Sequence, residues 1–327
     1  MEFDRRICVA GACALAAWTA FGALAQAQPY PAKPIHIIVP LPPGGSNDVL
    51  ARLLGQKMSE SFGQPVIVEN RPGAAGNIAT EFMAKTEGDG YYIAVAPNQT
   101  VAVNPVLYPK LPFDVMRDLQ GITLMGRVPM VLVVSPKVTA TSVAELIAIA
   151  RANPEKLSYA SAGSGSPQHM AAEVFKSMTK TRMTQIPYKG SAPALIDVLG
   201  GAVDVMFCPI NSALPHIRSG KLRALGTTGA QRLTTLLPGV PTIAETVSGY
   251  ESDIWIGMVA SAKTPPAIID KLNAELRRSL ALPEVQGKLA EQGIYAETST
   301  AAEFTQLIAS DQKRWAAVIK AANIQPE

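Results

Sequence analysis

The chain has 327 residues, of which 48% are apolar, and its 29 Lys and Arg side chains nearly balance 26 Asp and Glu. The formal net charge is +3, so the sequence lacks the clustered basic face that binds nucleic acid phosphates, and no nucleic acid partner is expected. A chain of this length exceeds what one hydrophobic core serves well, which predicts two domains.

The amino-terminal residues have the pattern of a cleaved export signal. Two arginines precede the apolar stretch 7–24, and small residues suited to cleavage end at Ala25 and at Ala27. We therefore expect residues 1–25 to be a signal peptide, cut after Ala25 or Ala27, and the mature protein to lie in the periplasm. A retained membrane anchor is the alternative, and both the general secretory and the twin-arginine export routes stay open.

Short β-branched runs alternate with helical patterns along most of the chain, which predicts an α/β fold with helices on both faces of its sheets. The expected strands are 35–39, 66–68, 92–96, 131–135, 157–160, 203–207, 222–226 and 254–260. After the last of these, the pattern becomes mostly helical. We predict that the chain crosses to a second domain and later returns, so that residues 29–125 plus 250–327 form domain 1 and residues 126–249 form domain 2.

Two glycine-rich turns, each between a predicted strand and a predicted helix, are the strongest functional signal. Glycine lets the backbone approach a ligand closely, and the unpaired N–H groups of a first helical turn attract an anion, with support from the helix dipole. A small carboxylate is therefore the expected ligand. The candidate binding residues in these turns are Pro43, Gly44, Gly45, Ser46, Asn47, Asp48, Ser161, Gly163, Ser164 and Gly165.

Four more polar residues are candidates because of their positions. Asn98 and Thr100 follow the strand 92–96, where open α/β sheets place their ligand crevices. His169 falls on the first turn of the helix after the second glycine-rich turn, and Asp204 interrupts an apolar strand. A structural role as a loop brace is the competing interpretation for His169 and Asp204, and also for Asp48.

Signatures of enzymes and metal sites are absent from the sequence. Neither turn has the G-x-S-x-G spacing of a nucleophile elbow, and the second lacks the third glycine of a dinucleotide-binding fingerprint. His36, His169 and His216 show no metal-ligand spacing, and Cys208 is the only cysteine beyond the signal. We therefore expect no catalytic residue, no metal, no cofactor and no disulfide, and a hydrolase is the least favoured alternative.

Ordered motifs over essentially the whole chain after residue 29 resemble one family. They lie at 38–45, 68–77, 111–114, 159–165, 187–190 and 240–245, and include the segments PLPPGG and VENRPGAAGN. With these motifs the chain resembles the periplasmic solute-binding proteins of the tripartite tricarboxylate transporter group, called the Bug or TctC family. Leu41 departs from the family pattern, because an aromatic residue is common at its position.

The resemblance implies a two-lobed fold of the type II periplasmic binding protein kind, with two domains joined by two crossing strands and the ligand in the interdomain cleft. It implies closure of the lobes on a small carboxylate, such as a di- or tricarboxylate, an acidic amino acid or an aromatic acid. The implied partner is an integral-membrane permease with one large and one small subunit, and we expect the protein to be a monomer. The alternative is a sensory binding protein that presents the same ligand to a membrane receptor.

Overall fold

The computed structural model describes residues 30–326, so the predicted signal peptide and its cleavage positions lie outside the described residues. The strands are β1 Ile35–Val39, β2 Val66–Asn70, β3 Tyr92–Pro97, β4 Leu119–Val128, β5 Met130–Val134, β6 Ser158–Ser161, β7 Thr184–Pro187, β8 Val205–Pro209, β9 Arg223–Thr227, β10 Ile254–Ser261 and β11 Tyr295–Ala296. The α-helices are α1 Ser46–Phe62, α2 Asn77–Ala84, α3 Asn104–Leu107, α4 Val115–Asp118, α5 Val143–Ala152, α6 Pro167–Thr179, α7 Ser191–Gly200, α8 Ile210–Arg218, α9 Pro266–Leu280, α10 Pro283–Glu291 and α11 Ala301–Ala322. A π-helical turn occupies Gln99–Val103.

The strands form two sheets, which confirms the predicted α/β class. In the six-stranded sheet, of order β11-β4-β10-β3-β1-β2, the strands β1, β2 and β3 are parallel, and β10 runs antiparallel to β3 and β4. In the five-stranded sheet, of order β7-β6-β8-β5-β9, the strands β6, β7 and β8 are parallel and β5 runs antiparallel to β8 and β9.

Burial explains why these segments form the elements they do. All five residues of β5 are buried, as expected for a central strand covered on both faces. Along α1, the side chains of Leu50, Leu54 and Met58 are fully buried at intervals of four residues and share a core with β1. Trp255 of β10 donates a hydrogen bond from Nε1 to Asp311 Oδ2 at 2.6 Å, which fixes α11 against the six-stranded sheet.

Two adjacent connections join the sheets. The first is the passage from β4 to β5 through Pro129, and the second leads from β9 to β10. Thr228 ties them together, since its N–H donates to Met130 O at 2.9 Å and its Oγ1 accepts from Met130 N at 2.9 Å. Ser252 N then donates to Thr228 O at 3.1 Å. The predicted pair of crossing strands is therefore present.

Candidate functional site

The carboxyl ends of the parallel strands in the two sheets face each other. Pro97, at the end of β3, and Gly126, near the end of β4, both lie opposite Ile256 of β10. In the second sheet, β5 starts at Met130, opposite Pro209 at the end of β8. Because a single residue separates β4 from β5, these strand ends meet across the connection. The loops that follow the parallel strands therefore border one cleft, the position where open α/β sheets bind ligands.

The first glycine-rich turn presents open backbone amides at the start of α1. Gly45 is the N-cap residue, in extended backbone, and no side chain caps the helix from there. The N–H groups of Gly45, Ser46 and Asn47 donate no hydrogen bond within residues 30–326. Pro43 and Gly44 are exposed, and a Cβ built on Gly44 or Gly45 would meet no atom within 4 Å. These amides and the helix dipole offer a site to an anion.

Asp48 braces this first turn from within α1. Its Oδ2 accepts from Gly44 N and from Arg52 Nε, both at 3.0 Å, and its Oδ1 accepts from Asn70 Nδ2 at 3.0 Å. Burial alone would raise the pKa of the Asp48 carboxyl, but the hydrogen bonds from Arg52, Gly44 and Asn70 hold that pKa below its usual range. The carboxylate therefore stays ionised and is directed at protein donors.

In the second glycine-rich turn, two glycine amides donate to side chains of the same turn and of the helix that follows it. Gly163 N donates to Ser161 Oγ at 3.4 Å, and Gly165 N donates to His169 Nδ1 at 3.2 Å. The hydroxyl of Ser166 caps α6 by accepting from His169 N at 3.4 Å. This helix start differs from that of α1, because side chains of Ser166 and His169 accept from two of its amides. His169 therefore has the bracing position here that Asp48 has in the first turn.

Residues of the second turn also contact the first lobe. Gly165 packs against Leu107 and Val103, so closely that a Cβ at Gly165 would overlap the Leu107 side chain. Ser164 donates a hydrogen bond from Oγ to Gln325 O at 2.6 Å. The second turn therefore packs against the segment that follows β3.

Asn98 and Thr100 occupy different environments although they are two residues apart. Asn98 is buried, its Nδ2 donates to Asp253 O at 3.3 Å, and its Oδ1 has no hydrogen-bond partner within the described chain. It lines a cavity of about 10 Å³ between the lobes, together with Gly165 and Trp315. Thr100 Oγ1 donates to Pro97 O at 3.0 Å. The Thr100 side chain is fully buried beside Gly76. The structure brings Asn98, but not Thr100, to the surface between the lobes.

Asp204 does not join the other candidates. Its Oδ2 accepts hydrogen bonds from Ser158 N at 2.8 Å and from Ser158 Oγ at 2.9 Å. Ser158 is the first residue of β6 and Ser161 is the last, so Asp204 lies at the amino ends of the parallel strands, about 10 Å from the cleft side. This corrects its assignment as a ligand contact: Asp204 fixes the start of β6 to the start of β8.

A third loop at this edge of the six-stranded sheet was not among the candidates from the sequence. It follows β2 and places four consecutive residues at positive φ: Gly73 at 134°, Ala74 at 47°, Ala75 at 55° and Gly76 at 90°. Left-handed backbone is costly for alanine, so tertiary contacts must hold this loop. Asn104 supplies one of them, because its Nδ2 donates to Ala75 O at 3.0 Å. A Cβ on Gly76 would lie 2.5 Å from Thr100 Cγ2. The sequence signal was the run GAAGN.

A half-buried carboxyl lies at the second connection between the lobes. Thr228 Oγ1 donates to Asp253 Oδ1 at 2.8 Å. Burial raises the pKa of the Asp253 carboxyl to about 6, although the Thr228 hydrogen bond and the charge of Arg127 act in the opposite direction. This carboxyl titrates between mildly acidic and neutral pH, at the point where the lobes are joined.

The described residues lack a metal cluster, a membrane-spanning helix and a reactive thiol. Residues 30–326 contain no group of three or more His, Cys, Asp or Glu side chains arranged to hold a metal ion. No helix among them is both long and apolar enough to cross a bilayer. Cys208 is buried, and burial raises the pKa of its thiol to about 12, so this thiol is not an activated nucleophile.

A comparison with family models matches residues 50–324 to the tripartite tricarboxylate transporter family receptor. Among curated proteins, Protein BugT of Bordetella pertussis is 40% identical over 299 residues, which cover 90% of this chain and 91% of that protein.

Solved structures agree with this match. The R. palustris protein Rpa4515, solved with adipate, has a TM-score of 0.81 and 34% identity, and the match covers 91% of this chain and 100% of that one. MatC (Rpa3494) from Rhodopseudomonas palustris, solved with bound malate, has a TM-score of 0.76 and 28% identity, with 89% of this chain and 100% of that one covered. These neighbours confirm the two-lobed periplasmic binding protein fold.

Proposed function

The chain belongs to the tripartite tricarboxylate transporter receptor family, and from that membership we propose that it captures a small carboxylate in the periplasm for a tripartite tricarboxylate-type permease. The ligand class is a di- or tricarboxylate, an acidic amino acid or an aromatic acid. The protein works by binding and release, and none of its residues is assigned a catalytic role.

One observation carries the proposal: the unpaired amides of Gly45, Ser46 and Asn47 at the start of α1. A carboxylate accepts several N–H donors at once, and hydrogen bonds to a charged acceptor are roughly twice as strong as neutral ones. The relatives solved with adipate and with malate support the same ligand chemistry. The remaining contacts come from Asn98 and from the second turn, Ser161 to Gly165, across the cleft.

Binding is coupled to closure of the lobes, which we assign to residues 29–125 plus 250–327 and to residues 126–249. A ligand that touches both glycine-rich turns favours the closed arrangement, because it makes its full set of contacts only there. Pro129 and Thr228, where the two connections run side by side, are the proposed hinge positions. Trp315 lines the cavity between the lobes, so its fluorescence should report the motion.

The description of the family supports the permease partner, since it names a transporter receptor. Cells that lack the protein should take up the bound carboxylate more slowly than cells that contain it. Unimpaired uptake would instead favour the sensory alternative, in which the ligand-loaded protein docks on a membrane receptor.

The test of binding is a thermal-shift screen of ligand-stripped protein against mono-, di- and tricarboxylates, acidic amino acids and aromatic acids. A ligand present at one hundred times its dissociation constant stabilises the native state by about 2.7 kcal/mol, so one class should raise the melting temperature selectively. The same ligand should change the Trp315 fluorescence. A folded sample that responds to no carboxylate would contradict the proposed function.

A further inference from the structure

The first turn combines an anion site with an acidic side chain. Asp48 lies two residues after Ser46, in the same helical turn as the open amides, and its side chain is only 7% exposed. A carboxylate in that position repels a bound anion unless its charge is compensated. The compensating charge comes from one residue on the next turn of α1, and one residue at the end of β2 holds the carboxylate in place.

Arg52 neutralises the charge of Asp48 with a two-point contact. Its Nε lies 3.0 Å from Asp48 Oδ2, and its Nη2 lies 3.0 Å from Asp48 Oδ1. This forked geometry holds both oxygens of the carboxylate in one plane and fixes their direction. As a consequence, Oδ2 stays aimed at Gly44 N, and the other amides of the turn are left to face the cleft.

Asn70 closes the network from the neighbouring strand. Its Nδ2 donates to Asp48 Oδ1 at 3.0 Å and to Leu41 O at 3.1 Å, and its Oδ1 accepts from Arg52 Nη2 at 3.0 Å. Leu41 begins the turn and Gly44 lies near its end, so the network holds the turn at both sides. Each of the three side chains contacts the other two.

We propose that Arg52 and Asn70 are positioning residues of the anion site. Both act through Asp48 to shape the first turn, and Arg52 also cancels the negative charge of Asp48. The ligand in this inference rests on the proposed function, whereas the geometry of the hydrogen-bond network does not. It also explains why Asp48, Arg52 and Asn70 occur together at the first turn.

Binding of adipate and of malate, measured by isothermal titration calorimetry, tests the charge compensation. Arg52→Gln should weaken the affinity for whichever anion the wild type binds at least tenfold. Asp48→Asn combined with Arg52→Gln removes both charges and keeps an amide oxygen that can accept from Gly44 N, so most of that loss should be recovered. No recovery in the double variant would overturn the charge compensation.

Arg278→Gln is the matched control. Arg278 pairs with Glu275 in α9, and the side-chain exposures of 51% and 6% nearly equal those of Arg52 and Asp48, 54% and 7%. Glu275 contacts Ser61, which lies 13 residues after Asp48 and therefore about 20 Å away along the helix axis. Arg278→Gln should change the melting temperature as much as Arg52→Gln does, while leaving the affinity unchanged.

Hydrogen exchange of the Gly44 amide in ligand-free protein, followed by NMR, tests the positioning without any ligand. The amide should be protected in the wild type and in Arg278→Gln, and should exchange at least tenfold faster in Asn70→Ala and in Arg52→Gln. Equal exchange in all four proteins would overturn the positioning roles. If the wild type binds neither anion, the calorimetry uses the carboxylate identified in the thermal-shift screen, and the exchange measurement decides the positioning roles without any ligand.

Discussion

The two glycine-rich turns share a sequence signature but use their backbone amides differently. In each, a glycine amide donates to the side chain four residues later, from Gly44 to Asp48 and from Gly165 to His169. The helix starts differ, because the hydroxyl of Ser166 caps the helix after the second turn, whereas no side chain of the N-cap residue Gly45 caps the helix after the first. The proposed anion site therefore rests on the amides of the first turn, while the second turn also packs against the first lobe.

The half-buried carboxyl of Asp253 makes the stability of the protein depend on pH. The pKa of the Asp253 carboxyl rises from 3.8 to about 6 on folding, so the folded state binds the proton more tightly than the unfolded state. The associated stability is fully present below about pH 4 and is lost as the pH rises through 6. Asp253→Asn, which is neutral at every pH, should therefore stabilise the protein at pH 8.

The expected gain for Asp253→Asn is on the order of 1 kcal/mol at pH 8, discounted because the side chain is half-buried, and it should vanish at pH 4. Chemical denaturation of both proteins at the two pH values measures it. A variant that is less stable than the wild type at pH 8 would show that the ionised carboxylate supports the connection through Thr228.

The sequence allowed the turns to be predicted because glycine and hydroxyl residues mark them directly. It did not separate open amides from occupied ones, since occupancy depends on which side chains fold back onto each turn. For the second turn a signal did exist: Ser166 followed by Pro167 is a typical start of a capped helix. For Asp204 no local signal distinguished the amino end of a strand from the cleft.

At the level of elements, the sequence analysis missed β4, β7 and β11, of which β4 is the longest. Eight of its ten residues are buried, so it has no alternation of apolar and polar positions, and its glycines Gly121 and Gly126 suggest a turn instead. The structure shows why glycine is needed, since a Cβ on Gly121 would lie 2.9 Å from Phe304 Cδ1. Long-range packing of α11 therefore determines these residues, and a local pattern does not reveal it.

The strand β1, by contrast, was predicted with its observed bounds, because its apolar run is short, continuous and ends at a proline-rich turn.

The packing of α11 also restricts the neighbouring strand β10. Gly257 of β10 lies directly under the Phe304 ring, and a Cβ there would overlap three ring atoms. Phe304 is fully buried and has no room to move, so Gly257→Ala should destabilise the protein by about 1–3 kcal/mol. Gly287→Ala is the control, because this exposed helical glycine meets nothing within 4 Å; it should stabilise by about 0.5–1 kcal/mol.

Urea denaturation at constant pH measures both glycine variants. If Gly257→Ala were as stable as the wild type, α11 would not be held against the six-stranded sheet in the way described. The control also guards against a general effect of alanine on the unfolded chain, which acts on both variants alike.

At the scale of the whole molecule, the parallel strands of both sheets point their carboxyl ends at one cleft. Each of these strands is followed by a helix or a helical turn, so several helix amino termini converge there. Such an arrangement suits anions that must be released again, because amide donors bind them without a strong ion pair. Alternating patterns and family motifs predicted the two-lobed layout. The contacts between the lobes, such as Gly165 on Leu107, depend on the relative position of two folded units and had no sequence signal.

The most direct test of the account removes a single N–H group from the first turn. Ser46 is the first residue of α1, where proline is well tolerated, and Gly45 before it has the extended backbone that proline requires, with φ −86° and ψ 173°. Ser46→Pro therefore deletes one open amide without a cost in folding, whereas Ser46→Ala deletes only the hydroxyl.

The affinity of both variants for the carboxylate identified in the thermal screen is measured by isothermal titration calorimetry. We predict a loss of about tenfold or more for Ser46→Pro, since a hydrogen bond to a charged acceptor contributes about 1.5–3 kcal/mol, and a change of less than about threefold for Ser46→Ala. A folded Ser46→Pro protein that binds the carboxylate as tightly as the wild type would contradict the assignment of the anion site to the start of α1.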